Sequence, residues 1–355
     1  MHRLTAIFLS VSLLILLSCA AFFLAWSIIS PRLRGEILNN SLEGKICALE
    51  ARFGSPRILI TGDSRANFQL IPAVFEAGTG SSCLNVAIAA GDLITSANAL
   101  ARHPELISRT KLIVISVGIY QINDGSLDAG FMSEASFAEL GVPDHFRIFR
   151  KRPLDLLRYY REAFRLYRRR EWKGMRFECG DYWTAGYDVY PGKGFYRAER
   201  VWNRQIGPDP LLANPWYMDL RLDGIRWRQF RETLERLDQL GIPTVVFQSP
   251  YGPTWMRAPE NRGAIAAERV FASELSAFAK PLKNVHFLDF FSASGADRGD
   301  SSGAFRLSET VHPESLTDSL FYDAAHLNPS GAEIFSRWFL RELQMRKLLP
   351  DSTAE

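Results

Sequence analysis

Two short stretches near opposite ends of the chain carry residue types that together can perform acyl transfer. The first is Thr61-Gly62-Asp63-Ser64-Arg65, directly after an apolar run. Glycine permits a sharp turn at a strand end, and a serine there stands at the edge of a sheet where α/β proteins place their sites. The second is Asp323-Ala324-Ala325-His326-Leu327-Asn328-Pro329, just ahead of a helical pattern. Asp and His three apart in a tight loop can direct both side chains to one side. The carboxylate then accepts the Nδ1–H of the imidazole and leaves Nε2 as a general base. Each stretch alone has a plainer reading. Gly-Asp-Ser is common turn and N-cap chemistry, and Asn328 before Pro329 can simply cap a helix beside a surface histidine. In one chain they supply a nucleophile (Ser64), a base (His326) and an orienting acid (Asp323), the three parts a triad requires. That chemistry calls for no metal and no cofactor.

The elements that must position these residues are legible as five short, nearly continuous apolar runs: 57–61, 84–88, 112–117, 244–248 and 285–289. Runs of that length and composition suit a sheet buried on both faces. Helical patterns lie between several of them, at 95–102, at 224–240 with Gly241 as a stop, and at 264–278. A last one covers 329–347, with Pro329 near its start. Strands alternating with helices predict an α/β fold with a doubly wound, mostly parallel sheet, whose site lies at the carboxyl ends of the strands. The third and fourth strands are about 125 residues apart, far more than one crossover needs. Within that gap, positions 147–176 hold twelve Lys/Arg, and aromatic residues are dense from Tyr159 to Tyr217. The segment at about 126–242 reads as an inserted subdomain. Arg and Lys there can bind carboxylates or phosphates and aromatic rings can cover sugar faces, or the segment is a solvated basic helix over a small aromatic core.

Residues 4–29 contain no charge, with only Thr and Ser as polar interruptions. As a helix they span roughly 39 Å, enough to cross a hydrocarbon core of about 30 Å with some tilt. A cleavable signal ending near Ser18-Cys19-Ala20 is the competing reading, but the apolar run continues for nine more residues. The expected organisation is therefore an anchor (1–31), a neck (32–55) and one domain (56–350) carrying the insertion. The 355 residues are 47% hydrophobic and 23% charged, which excludes disorder and coiled coil as whole-chain descriptions. A net charge of +3 does not suggest a nucleic-acid binder. Four cysteines exclude a disulfide scaffold, and none has zinc-ligand spacing, although a pair such as Cys47–Cys83 can bridge.

The Gly62-Asp63-Ser64-Arg65 and Asp323…His326-Leu327-Asn328 blocks resemble the first and last sequence blocks of the SGNH/GDSL hydrolase superfamily. The resemblance covers roughly 56–125 and 243–345. It implies Ser64 as nucleophile, His326 as base and Asp323 as its acid. The stretch from Asn85 to Gly91 is similar to the block whose glycine N–H serves an oxyanion hole, which implies Gly91 beside the Ser64 N–H. The third block departs from the pattern, because Gly118 is followed by Ile119-Tyr120-Gln121-Ile122 and Asn123 comes late. Asn123 is the side-chain donor the resemblance offers. An apolar anchor ahead of such a domain is also similar to exported SGNH proteins of envelope acylation, of the alginate O-acetylation and teichoic-acid D-alanylation kinds. That narrower likeness implies a bacterial protein anchored in the cytoplasmic membrane with its domain on the outer side, contacting membrane lipid. Its implied partners are an envelope polysaccharide and a membrane-bound O-acyltransferase. The expected function is transfer or removal of an acyl group, acetyl above all, on such a glycan. A simple carbohydrate or lipid esterase and a non-catalytic assembly factor are the alternatives.

Overall fold

The computed structural model describes residues 40–88, 91, 93–123, 150, 195, 220–294 and 316–350. The chain divides into two compact units, and everything below concerns the one built from 41–132 and 177–355. The apolar run 4–29 and nearly all of the basic-aromatic stretch lie outside the described residues. Among the described residues no helix is long and apolar enough to cross a membrane.

Helix α1 (Asn40–Phe53) leads into β1 (Ile58–Thr61), α2 (Ser64–Gln69), α3 (Pro72–Thr79), β2 (Cys83–Asn85), α4 (Leu93–Arg102), α5 (Pro104–Ile107) and β3 (Leu112–Val117). Further along the chain come α6 (Ile225–Gln239), which falls inside the span expected for the insertion, β4 (Thr244–Gln248), α7 (Pro253–Arg257), α8 (Arg262–Ala279), β5 (Val285–Asp289), α9 (Phe290–Ser294) and α10 (Pro329–Met345). The strands form one sheet in the order β2-β1-β3-β4-β5, and every pair is parallel. Stepping outward from β1 in both directions is the doubly wound arrangement, and its reversal point falls at the carboxyl end of β1, where Gly62 and Ser64 follow.

Burial explains the apolar runs. Side chains alternate across each strand, so Leu59, Ile113, Ile115 and Val246 face one layer while Ile58, Ile60, Val114, Val245 and Phe247 face the other. The first layer is covered by α1, α6 and α8 through residues such as Ile46, Phe230 and Phe271. The second is covered by α3 and α10, where Phe335 and Phe339 pack on Phe247 and Phe290. Each such side chain removed from water contributes about 1.5–3 kcal/mol. The helix expected at 224–240 is thus the crossover helix of the sheet itself. Helix α10 starts where expected, with Asn328 accepting from the Gly331 N–H at 3.1 Å as N-cap and Pro329 in its first turn.

The second strand is shorter than the 84–88 run suggests. Val86 and Ile88 continue alongside β1, donating to Ile60 O and Gly62 O at 2.8 and 3.2 Å. The Asn85 side chain bonds outside the sheet: its Nδ2 donates to Ala66 O and Leu70 O, and its Oδ1 accepts the Ala87 N–H. Cys83 is buried on this strand, and the side chain of Cys47 lies outside the described residues.

Candidate active site

The turn that presents Ser64 is dictated by contact with β3. Gly62 has φ +115°, and a Cβ there would lie 2.8 Å from the Ser116 backbone and 2.7 Å from its Oγ. Only glycine fits. Asp63 then caps α2, accepting the Arg65 N–H at 3.0 Å. Ser64 is the first helical residue, so its own N–H has no intrahelical acceptor and points out of the helix N-terminus.

The histidine arrives from the far end of the chain on a tight loop. Phe321 and Leu327 bridge its base, and the Tyr322 N–H donates to His326 O at 2.7 Å. His326 Nε2 lies 2.7 Å from Ser64 Oγ, although the two residues are 262 positions apart. Its Nδ1 lies 2.8 and 2.9 Å from Asp323 Oδ2 and Oδ1. A carboxylate cannot donate, so Nδ1 carries the proton and Nε2 accepts from the serine hydroxyl. Asp323 Oδ1 also accepts the Ala325 and His326 N–H groups, both at 2.9 Å. Burial opposes ionisation of Asp323, but these hydrogen bonds, led by His326, hold its carboxyl below the usual range. Gln69 of α2 clamps the loop from behind, donating to Ala325 O at 2.8 Å. Phe68, one turn after Ser64, sets its ring 4.9 Å from the His326 ring and 6.1 Å from that of Tyr322.

Gly91 and Asn123 are placed differently from one another. Gly91 presses on the nucleophile turn, where an added Cβ would sit 2.2 Å from Gly62 O. Its N–H is engaged by Ile88 O at 3.2 Å, and its carbonyl accepts from Gln121 Nε2 at 3.2 Å. Asn123 is fully buried and its Oδ1 accepts the Arg221 N–H at 3.0 Å, which makes Nδ2 the donor end of that amide. Among the described residues no hydrogen bond joins Asn123 to Ser64, Asp323 or His326.

Sequence reasoning missed the buried polar frame beneath the turn. Asp63 is completely buried, and its carboxylate accepts from Arg65 Nε at 2.8 Å, Arg65 Nη2 at 2.6 Å, Tyr120 Oη at 2.6 Å and Ser116 Oγ. Burial pushes the Asp63 carboxyl up, but the Arg65 guanidinium and these hydrogen bonds win and hold it below its ordinary value. The same desolvation and the neighbouring Asp63 charge push the Tyr120 phenol well up, so it stays a donor. Arg65 also bears on Glu268, a buried carboxyl that accepts from Gln248 Nε2 at 2.5 Å and Tyr251 Oη at 3.2 Å. Burial pushes Glu268 up to about 7 against the opposing pull of Arg65. The departure in the third block is therefore where the frame lies: Tyr120 reaches Asp63 and Gln121 reaches Gly91. No signal in the sequence marked this frame, since a charged arginine directly after the serine is expected at the surface.

Among the described residues, one group could hold a metal ion by its donor types. Glu50, His103 and Glu105 offer ligand atoms within 4.8 Å of one another, with His103 Nδ1 3.2 Å from Glu105 Oε1 and 4.0 Å from Glu50 Oε2. Among the described residues none of the three bonds to Ser64, Asp323 or His326.

No family model matches the chain, and no curated protein matches it. Among solved structures, a protein from Streptococcus pneumonia provisionally described as a platelet activating factor is similar at 13% identity, with a TM-score of 0.38. That alignment covers 92% of this chain and 99% of the other. The functional reading rests on the geometry of the chain itself.

Proposed function

We propose that this chain is a serine acyl-transfer enzyme of the SGNH type, working through a covalent acyl-enzyme. The observation that carries the reading is the unbroken line Ser64 Oγ–His326 Nε2–Asp323, with contacts of 2.7 and 2.8 Å. Ser64 Oγ attacks the ester carbonyl carbon while His326 Nε2 takes its proton, and Asp323 stabilises the imidazolium. The carbonyl oxygen becomes an oxyanion facing the Ser64 N–H. Gly91 supplies a second N–H once that donor turns from Ile88 O, and Asn123 Nδ2 is the third donor. Collapse expels the alkoxide, which takes the proton from His326. A second hydroxyl, from water or a sugar, then gives its proton to His326 and attacks the acyl carbon, releasing Ser64.

The substrate we propose is an acyl ester, acetyl first, on a cell-envelope polysaccharide. The site faces outside the bacterial cytoplasmic membrane, with residues 4–29 as anchor and a membrane-bound O-acyltransferase as donor-side partner. The apolar span and the basic-aromatic stretch of the sequence support this. Incubating the 31–355 domain with acetylated and unacetylated acidic glycans, with and without an acetyl donor, tests it. Release of acetate or gain of glycan acetyl supports the reading, and neither on any envelope glycan contradicts the substrate class. A binding or assembly role is favoured by one observation only, the engagement of the Gly91 N–H by Ile88.

A further inference from the structure

Helix α1 lays Leu42, Ile46 and Leu49 into the core, and the same buried side of the helix carries a lysine. Lys45 is 1% exposed, and burial holds its ammonium well below the ordinary lysine value. A lysine so deeply buried is costly unless its donors are satisfied. If stability alone were at issue, an apolar residue of the same length would serve as well without the desolvation cost.

The donors of Lys45 go to two places that matter. Nζ donates to Asn67 Oδ1 at 2.9 Å and to Ala87 O at 2.6 Å. Asn67 stands three residues after Ser64 in α2, and its N–H donates to Asp63 O at 3.1 Å. Ala87 precedes Ile88, whose N–H donates to Gly62 O and whose carbonyl accepts the Gly91 N–H, both at 3.2 Å. One side chain from the neck thus ties the helix bearing Ser64 to the loop bearing Gly91.

We propose that Lys45 is a positioning residue of the acyl-transfer site, fixing the spacing between the Ser64 helix and the Gly91 loop. The inference rests on the reading of Ser64 as nucleophile. Oxyanion donors act only within a few tenths of an ångström of their working distance, and a misplacement of about 1 Å costs about 10²-fold in rate. The neck, which joins the apolar span to the domain in sequence, is then part of the site's scaffold as well as a tether.

The test compares full-chain Lys45→Met, Asn67→Leu and Asn67→Asp with the unmodified protein. The readouts are the rate of Ser64 labelling by a fluorophosphonate, kcat and KM on an aryl acetate, and thermal unfolding. Lys45→Met and Asn67→Leu should each lower labelling and kcat by about 10- to 100-fold with KM little changed and unfolding still cooperative. Asn67→Asp keeps the acceptor and should label at close to the unmodified rate. Folded Lys45→Met and Asn67→Leu proteins that label at the unmodified rate overturn the inference. So does a rate loss that tracks loss of folded protein in both, with Asn67→Asp no better than Asn67→Leu. Full turnover by Ser64→Ala would show instead that the nucleophile assignment itself has failed, and this inference falls with it.

Discussion

The guanidinium of Arg65 occupies the space that a side chain at Gly118 would need. A Cβ on Gly118 would lie 1.8 Å from Arg65 Nη2 and 2.7 Å from Cζ. The residue after the candidate nucleophile is thereby locked against the end of β3, and its charge is locked against Asp63. Ser64 sits between these two partners, so its direction depends on both.

Gly118→Ala should therefore act on activity more than a surface alanine would. The arginine has to move, and the Asp63 pair has to stretch with it. We expect a loss of about 1–3 kcal/mol in stability, as for other overpacked sites, together with slower fluorophosphonate labelling of Ser64. Chemical denaturation and labelling rate measured on the same preparation check this.

Asp63→Asn should be among the most destabilising single changes, because it leaves the Arg65 charge buried without its acid. The expected cost is about 3–5 kcal/mol. The depressed Asp63 pKa gives the sign of the pH effect. Its stabilisation is present above the ordinary aspartate range and disappears as pH falls through the lower folded value. Acid unfolding of the unmodified protein should accordingly be steep, and the Asn variant should show a shallower acid limb.

Glu268 predicts the opposite slope. Burial raises its carboxyl to about 7, so the folded state holds a proton that the unfolded state releases at lower pH. Its contribution is fully present below the ordinary glutamate value and is lost as pH rises through about 7. Glu268→Gln should remove that loss, and its stability relative to the unmodified protein should improve by about 2–4 kcal/mol between pH 4 and pH 8. Denaturant titrations at those two pH values measure it.

The fold was legible because a parallel sheet covered on both faces needs short, continuous apolar strands, and five runs of strand length stand between helical patterns. The run 112–117 coincides with β3, and 244–248 and 285–289 coincide with β4 and β5. β2 (Cys83–Asn85) is shorter than the 84–88 run, because Val86 and Ile88 follow β1 only through single bonds to Ile60 O and Gly62 O. Ser64, Asp323 and His326 were legible for a different reason: their types are recognisable and their local spacing is short. Lys45, Arg65 and Tyr120 were not, because charged and phenolic side chains are expected at the surface. Lys45 and Tyr120 moreover find their partners 22 and 57 residues away. Residues 147–217, read as basic and aromatic, lie almost wholly outside the described residues, so their role stays with the sequence.

Asp323→Asn should keep the loop and lose the chemistry. The asparagine Oδ1 can still accept the Ala325 and His326 N–H groups, which both go to Oδ1 now. Its Nδ2 then faces His326 Nδ1 and moves the imidazole proton to Nε2, which no longer accepts from Ser64. Turnover should fall by about 10⁴-fold with little change in unfolding temperature. Loss of folding instead would make Asp323 a loop-forming residue first.

The most direct measurement is active-site labelling with a fluorophosphonate, followed by mass spectrometry of the modified peptide and turnover of an aryl acetate by Ser64→Ala, His326→Ala and the double variant. The adduct should sit on Ser64. Each single variant should lose about three to six orders of magnitude, and the double variant should be scarcely worse, because the residues act as one unit. An adduct elsewhere, or full turnover by Ser64→Ala, would contradict the assignment and leave the 2.7 Å contact between Ser64 and His326 a structural hydrogen bond.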